Sequence, residues 1–290
     1  MKVQSLSVVV PGGCPNKCKF CVSHLHKEDT INQIEKNKRF IDLYEEDFMK
    51  RLLFARDNGC NVAILTGDGE PLINEKFLNQ FSWMNFSIES PFRWIEIQTS
   101  GVTLNDEKLR WLRNKVGVST ISLSLSSIFC SLKNAEYNGT PDNFIIDIDY
   151  LCKEIKKYDF NLRLSINMTD VYNSYSVEKI FKRCSELGAN QVTFRVLYES
   201  KEENKVNTWI KGHRANTEVI NNIQEFIISK GRRLEVLPFG ATRYSIFGIS
   251  AIIDNDCMST NSDKDVVKYL ILRPNCKLYT KWDDVGSILF

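Results

Sequence analysis

Cys14, Cys18 and Cys21 fall in the run Cys14-Pro-Asn-Lys-Cys18-Lys-Phe-Cys21, a C-x3-C-x2-C spacing with an aromatic residue immediately before the last cysteine. Thiolates are soft ligands suited to iron–sulfur clusters and to zinc. Three of them are one short of the four that close a [4Fe-4S] cluster, so a cluster held on this loop keeps one iron open to a non-protein ligand. A zinc site normally takes four ligands, often as two C-x2-C pairs. The chain has no second pair, although His24, His26 or His213 could complete a set. Incidental free cysteines are the remaining reading. Those usually scatter through helix cores, as the positions of Cys152 and Cys184 suggest.

Such residues need a scaffold, and the hydrophobic pattern supplies one. Short β-branched or aliphatic runs at residues 6–10, 61–66, 94–98, 120–125, 161–167, 191–196 and 234–238 read as strands. Between them lie amphipathic helical patterns. Phe48, Met49, Leu52, Leu53 and Ala55 make one apolar face and Phe77, Leu78, Phe81 and Met84 another. Leu109 and Leu112 mark a third, opened by Asn105 or Asp106. Thr140-Pro141 starts a fourth, Ser176 caps a fifth, and a sixth stops at Gly231. Alternating strands and helices imply a mainly parallel sheet with right-handed crossovers. The expected fold class is therefore α/β, a full or partial TIM-like barrel over residues 1–238, with residues 239–290 as a C-terminal cap. Residues 266–272 and 277–279 in that tail read as a hairpin. Barrels of this kind work at the carboxyl ends of their strands, where the cysteine loop, residues 67–71 and residues 98–101 would meet.

Taken in order, these segments resemble the radical S-adenosylmethionine (SAM) superfamily, whose signature is C-x3-C-x-aromatic-C after the first barrel strand. The resemblance implies that Cys14, Cys18 and Cys21 hold a [4Fe-4S] cluster, that SAM chelates the fourth iron, and that Phe20 lies near the adenine. A reduced cluster beside a sulfonium can break a carbon–sulfur bond and yield a 5′-deoxyadenosyl radical. Thr66-Gly67-Asp68-Gly69-Glu70-Pro71 is similar to the family's Gly-Gly-Glu element, with Asp68 at the middle position. Gly67, Gly69 and Glu70 would then receive the SAM ammonium, by close backbone approach and by charge. Glu96-Ile97-Gln98-Thr99-Ser100-Gly101 resembles the strand-three Glu-Thr-Asn-Gly segment, with Ser100 in place of asparagine. Residues 121–127 resemble the fourth-strand Ser-Leu-Asp element, with Ser124 as its serine and Ser126 where aspartate is usual. By the same resemblance Thr99, Ser100, Ser124, Asn167 and Arg195 join the cofactor-binding set. Period-two serines also suit an ordinary half-exposed strand.

The substrate is less legible. Cys257 and Cys276 lack partners at cluster spacing, which implies one cluster only. Residues 209–214, containing Trp209, His213 and Arg214, read as a loop able to form a lid. Arg232, Arg233 and Arg243 are candidate anion binders. With no obvious peptide-recognition domain, the preferred substrate is a small polar, nucleotide-like molecule. A peptide maturase or glycyl-radical activase, a noncatalytic iron–sulfur or zinc protein, and a structural barrel module stay open as alternatives. The resemblance also implies an electron donor such as flavodoxin or ferredoxin and an oxygen-sensitive enzyme.

Composition bounds the rest. In 290 residues there are 38 basic and 36 acidic side chains, a formal balance of +2, which argues against wrapping of duplex nucleic acid. The apolar stretch before Pro11 is too short for a signal-peptide core or a membrane span, so the expected location is cytoplasmic. Nine cysteines, an odd number without framework spacing, read as reduced thiols.

Overall fold

The structure, a computed structural model, describes residues 2–25, 31–200, 204–237, 241–254 and 266–290. One sheet organises the described residues. Its strands are β1 (Lys2–Val9), β2 (Val62–Thr66), β3 (Trp94–Thr99), β4 (Thr120–Leu125), β5 (Asn161–Met168), β6 (Gln191–Val196), β7 (Arg232–Val236), β8 (Thr242–Ile246), β9 (Ile249–Asp254), β10 (Val266–Leu272) and β11 (Leu278–Tyr279). The order is β11-β10-β1-β2-β3-β4-β5-β6-β9-β8-β7. Every neighbouring pair from β10 to β9 is parallel, whereas β11, β8 and β7 attach antiparallel at the edges. The result is a partial TIM-like barrel whose sheet does not close. At the open seam, Lys268 Nζ on β10 lies 4.0 Å from Asp254 Oδ1 on β9.

Period two along the strands sorts side chains between two environments. Leu6 and Val8, Ala63 and Leu65, Ile95 and Ile97, and Leu162 and Leu164 are buried in the main core cluster. That cluster is completed by α3 (Glu45–Asp57), α4 (Glu75–Ser87), α7 (Ile148–Lys157) and α8 (Val177–Glu186), through residues such as Phe48, Phe81, Ile155 and Phe181. Each fully buried side chain of this size contributes about 1.5–3 kcal/mol before the entropy of ordering is subtracted. The alternate positions, Ser5 and Ser7, Ile64 and Thr66, Glu96 and Gln98, Thr193 and Arg195, line an interior cavity of about 440 Å³. A usual barrel fills this space with branched aliphatics; here polar side chains share the lining with Ile64, Val192 and Ile252, and the space is open.

The helices start where short polar side chains accept from the backbone of the first turn. Asn74 accepts from Phe77 N at 3.0 Å, Asn105 from Lys108 N at 2.8 Å and Ser176 from Lys179 N at 3.3 Å. Three expectations need correction. The helix expected at Thr140-Pro141 begins at Ile148, because Asp147 is the residue whose carboxylate accepts from Tyr150 N; Asp142–Phe144 form only a 3-10 turn. Residues 234–238 do not supply a seventh parallel strand. The strand there is β7, exposed along its length at the antiparallel edge, and Pro238 lies outside the described residues. β9 takes the place beside β6, since its Ile249 and Ala251 have apolar surface to bury. The segment after residue 238, expected as a cap, also supplies both flanks of the parallel run, and no break in the sheet marks that boundary. Its hairpin does form, as β10 and β11.

Candidate functional site

The cysteine loop leaves β1 at Val10, whose N–H donates to Thr66 O at 2.7 Å, and runs to α1 (Val22–Leu25). Cys14 is exposed; Cys18 and Cys21 are half-buried, and all three are free thiols. The loop is tied at its middle to α6 (Ser131–Asn138), which the hydrophobic pattern had not revealed. Lys17 N donates to Asn138 O and Gly139 O at 3.1 Å each, and Cys18 Sγ donates to Asn138 O at 3.2 Å. Gly139 has φ +56, and a Cβ there would lie 2.6 Å from Lys17 O, so both the turn and the approach require glycine.

Next to this loop sits the turn after β2. Glu70 N donates to Gly13 O at 2.8 Å, and a Cβ on Gly69 would meet Gly13 O at 2.3 Å and Gly12 O at 2.6 Å. Gly69 thus lets two backbones touch. The Glu70 carboxylate, 4% exposed, accepts from Thr99 Oγ1 at 2.6 Å and Leu72 N at 3.4 Å on one oxygen. Its other oxygen accepts from Ser100 N at 2.9 Å and Ser100 Oγ at 2.6 Å. Its acceptor sites are taken, and the side chain pins the β2 turn to the end of β3.

Asp68, the departure in this turn, has a partner far along the chain. Arg273 Nη1 lies 2.9 Å from Asp68 Oδ2, and Arg273 Nη2 donates to Trp282 O at 2.7 Å. Arg273 is 2% exposed and its guanidinium lies 5.0 Å from the Trp282 ring centroid. Burial pushes the Asp68 carboxyl above its usual range, opposed by the attraction and hydrogen bond of Arg273 and by a hydrogen bond from Ser23. One carboxylate therefore joins the cysteine loop, the glycine turn and the C-terminal hairpin.

The remaining expected residues divide into two groups. Ser124 and Asn167 belong to a buried amide–hydroxyl network: Asn167 Nδ2 donates to Ser124 Oγ at 3.4 Å and Ser126 Oγ at 3.3 Å. Ser126 Oγ donates in turn to Asn138 Oδ1 at 2.6 Å. This network holds α6, and through it the cysteine loop. Gly67 and Arg195 instead border the interior cavity, and Arg195 Nε is buried without a hydrogen-bond partner.

Phe20 leads to residues the sequence underrated. The expected lid loop at residues 209–214 is mostly helix α9 (Lys205–His213). Trp209 stacks on Phe20 at 5.7 Å between centroids and on His213 at 4.3 Å, with Tyr137 edge-on to Trp209 at 5.8 Å. Trp209 and His213 are four residues apart, the spacing that puts two side chains on one helix face. That signal was available. Tyr137 is fixed by donating its hydroxyl to Asp170.

The donor set suits a polynuclear cluster. Burial, then the neighbouring Cys21 and Cys14, push the Cys18 thiol up to about 12, so it keeps its proton until a cationic group arrives to take its thiolate. Among the described residues no three His, Cys, Asp or Glu side chains are arranged around a single metal ion. A cluster differs in that each thiolate takes its own iron. His26 and Cys257 lie outside the described residues, while Cys276 is buried in the core, its thiol pushed up to about 11 by burial. Arg232 and Arg233 sit on the edge strand β7, and Arg243 is paired with Glu235 at 2.6 Å. Among the described residues no helix is long and apolar enough to cross a membrane.

Comparison with solved structures gives the same fold at low identity. Streptococcus suis SuiB matches with a TM-score of 0.59 and 13% identity, over 96% of this chain and 60% of that one. Native anSMEcpe with bound AdoMet matches at 0.61 and 14%, over 99% and 77%. Coproporphyrinogen III oxidase (HemN) from Escherichia coli, described as a radical SAM enzyme, matches at 0.52 and 15%, over 79% and 52%. The chain thus spans about 60% of the SuiB chain and about half of HemN. Among curated proteins none matches. The family model that matches is that of the Radical SAM superfamily, over residues 8–145, a span that begins in β1 and includes the three cysteines, the glycine turn and the ends of β3 and β4. Residues 8–145, a little under half of the chain, thus match the radical SAM superfamily, a family whose cofactors are a [4Fe-4S] cluster and SAM.

Proposed function

We propose that this chain is a radical SAM enzyme that takes hydrogen from a small polar substrate seated in its interior cavity. The observation that carries the reading is the docking of the three-thiol loop onto the glycine turn through Glu70 N and Gly13 O, which sets an iron-binding loop beside open backbone. Cys14, Cys18 and Cys21 would hold the cluster. When bound, the cluster and SAM supply one-electron cleavage of a carbon–sulfur bond and a 5′-deoxyadenosyl radical.

The chain's own residues do the positioning. With the Glu70 carboxylate committed to Thr99 and Ser100, the backbone of Gly67–Gly69 is the better receiver for an ammonium group. Thr99, Ser100, Ser124 and Asn167 act by holding the turn and the cysteine loop, and Phe20 with Trp209 offers an aromatic wall beside them. The cavity, about 440 Å³ and lined by polar strand residues among apolar ones such as Ile64 and Ile252, has the size of small-molecule sites and favours a small substrate with polar groups over a polypeptide. An electron donor such as flavodoxin or ferredoxin completes the scheme, in a cytoplasmic setting where thiols stay reduced.

The test is anaerobic reconstitution with iron and sulfide, followed by dithionite and SAM, with 5′-deoxyadenosine measured by mass spectrometry. Wild type should produce it and Cys18→Ala should not. Equal yields from both would overturn the reading.

A further inference from the structure

We propose that the interior cavity holds a carboxylate-binding subsite built on Arg195, which anchors a substrate bearing one carboxylate group; this rests on reading the cavity as the substrate chamber. The argument is a matching of charges. Arg163 Nη1 lies 2.6 Å from Glu96 Oε2, and its Nε and Nη2 both donate to Gln191 Oε1. Arg273 is held by Asp68, Arg243 by Glu235, and Lys268 faces Asp254 across the seam. Arg195 has neither an ion pair nor a hydrogen bond among the described residues, and its Nε is buried. Its register neighbour on β9 is Asp254, the natural partner by position, yet the ion pair of that carboxylate is with Lys268.

An uncompensated guanidinium at a cavity wall is costly unless an anion completes it. The fork of Nε and an Nη matches two carboxylate oxygens, and one unpaired charge matches a monoanion. A phosphate ester, with close to two charges, would call for a second free cation. The methionine end of SAM is the other source of such a carboxylate. Arg195 is the register neighbour of Asn167 on β5, but it borders the cavity whereas Ser124 and Asn167 do not, and no hydrogen bond joins it to their network among the described residues.

The experiment uses the full chain without its cluster and titrates benzoate, benzamide and phenyl phosphate by saturation-transfer NMR. Wild type should bind benzoate at least about tenfold more tightly than its uncharged isostere, the scale of a charge-assisted pair. Arg195→Gln should remove that preference, and Arg243→Gln, whose arginine is already paired, should keep it. Arg195→Lys keeps the charge without the fork; it should fall between, and it serves as the test should the glutamine variant not fold. Equal affinity for benzoate and benzamide, no saturable benzoate binding in the millimolar range, a preference that survives in Arg195→Gln, or tighter binding of phenyl phosphate would each overturn the proposal. So would loss of S-adenosylhomocysteine binding by the cluster-loaded Arg195 variant in step with benzoate, because the arginine would then serve the cofactor. Since the titrations need no SAM cleavage, a benzoate preference without 5′-deoxyadenosine production would refute the proposed function and leave the subsite standing.

Discussion

Replacing Arg273 by Gln removes one half of a buried ion pair that ties three parts of the site together. At 2.9 Å and an effective dielectric of about 20, the gross attraction between the two charges is about 6 kcal/mol. What a variant loses is smaller, because in wild type both groups have already paid desolvation; stripping one partner from a buried pair costs about 3–5 kcal/mol. Asp68 keeps 24% side-chain exposure, which places the expected loss near the lower end, about 3 kcal/mol. The pH dependence has a definite sign. The Asp68 carboxyl sits above its usual value of 3.8 because burial outweighs Arg273, and removing the arginine raises it further. A carboxyl raised in the folded state binds its proton more tightly folded than unfolded. Its stabilising contribution is therefore present at low pH and lost as pH rises through the folded value. The deficit of the variant should be largest near neutrality and should shrink on acidification toward the ordinary aspartate range, leaving the loss of the Trp282 contacts. Urea denaturation of cluster-free protein across this range measures it. Asp68→Asn alone should also destabilise, whereas the double variant should recover much of the loss. A deficit that does not vary with pH, or single costs that add within about 0.5 kcal/mol in the double variant, would refute the reasoning.

Two other perturbations probe the same neighbourhood. Gly69→Ala drives a methyl into the backbone oxygens of Gly12 and Gly13, which have no rotamer to yield. It should cost about 1–3 kcal/mol and lower the iron bound per chain after reconstitution, while Gly12→Ala, with nothing within 4 Å of its new Cβ, should change neither melting nor iron content. Trp209→Ala removes the stack on Phe20 and the edge contact of Tyr137, each worth about 0.5–1.5 kcal/mol, so amide hydrogen exchange at residues 17–21 should quicken, with Trp209→Phe close to wild type.

The sequence made the parallel series legible because each of its first six strands carries its own local signal. Ile121-Ser122-Leu123-Ser124-Leu125 shows the alternation outright, and β4 begins and ends where the pattern does. The reading failed where a strand's role depends on its neighbours. Leu234 and Val236 are apolar and alternate, yet both are nearly half exposed, because β7 pairs only with β8 and has no helix against it. Residues 249–254 carry no expectation of a strand in the sequence, yet they became the parallel partner of β6, where Ile249 and Ala251 are buried. Helix α9 was hidden by Gly212 and by a cluster of polar residues that suggested a loop, although Asn204 caps it in the usual way by accepting from Asn207 N at 2.8 Å.

The site shows the same limit in sharper form. Composition and spacing identified Glu70, Thr99, Ser100, Ser124 and Asn167 as polar groups at strand ends, and the resemblance made all of them ligand contacts. Their hydrogen bonds add a structural role that the sequence did not show: the Glu70 carboxylate accepts four donors and anchors the glycine turn to the end of β3. Asp68 looked like a defect in a glycine turn because its explanation, Arg273, stands 205 residues away. The resemblance put Arg195 in the cofactor-binding set, and no local pattern reveals that, among the described residues, the other cations on the cavity wall each face an acid. Which polar groups remain free for a ligand is thus a property of the completed set of pairs, and a sequence read in one direction contains the members of that set without the pairing.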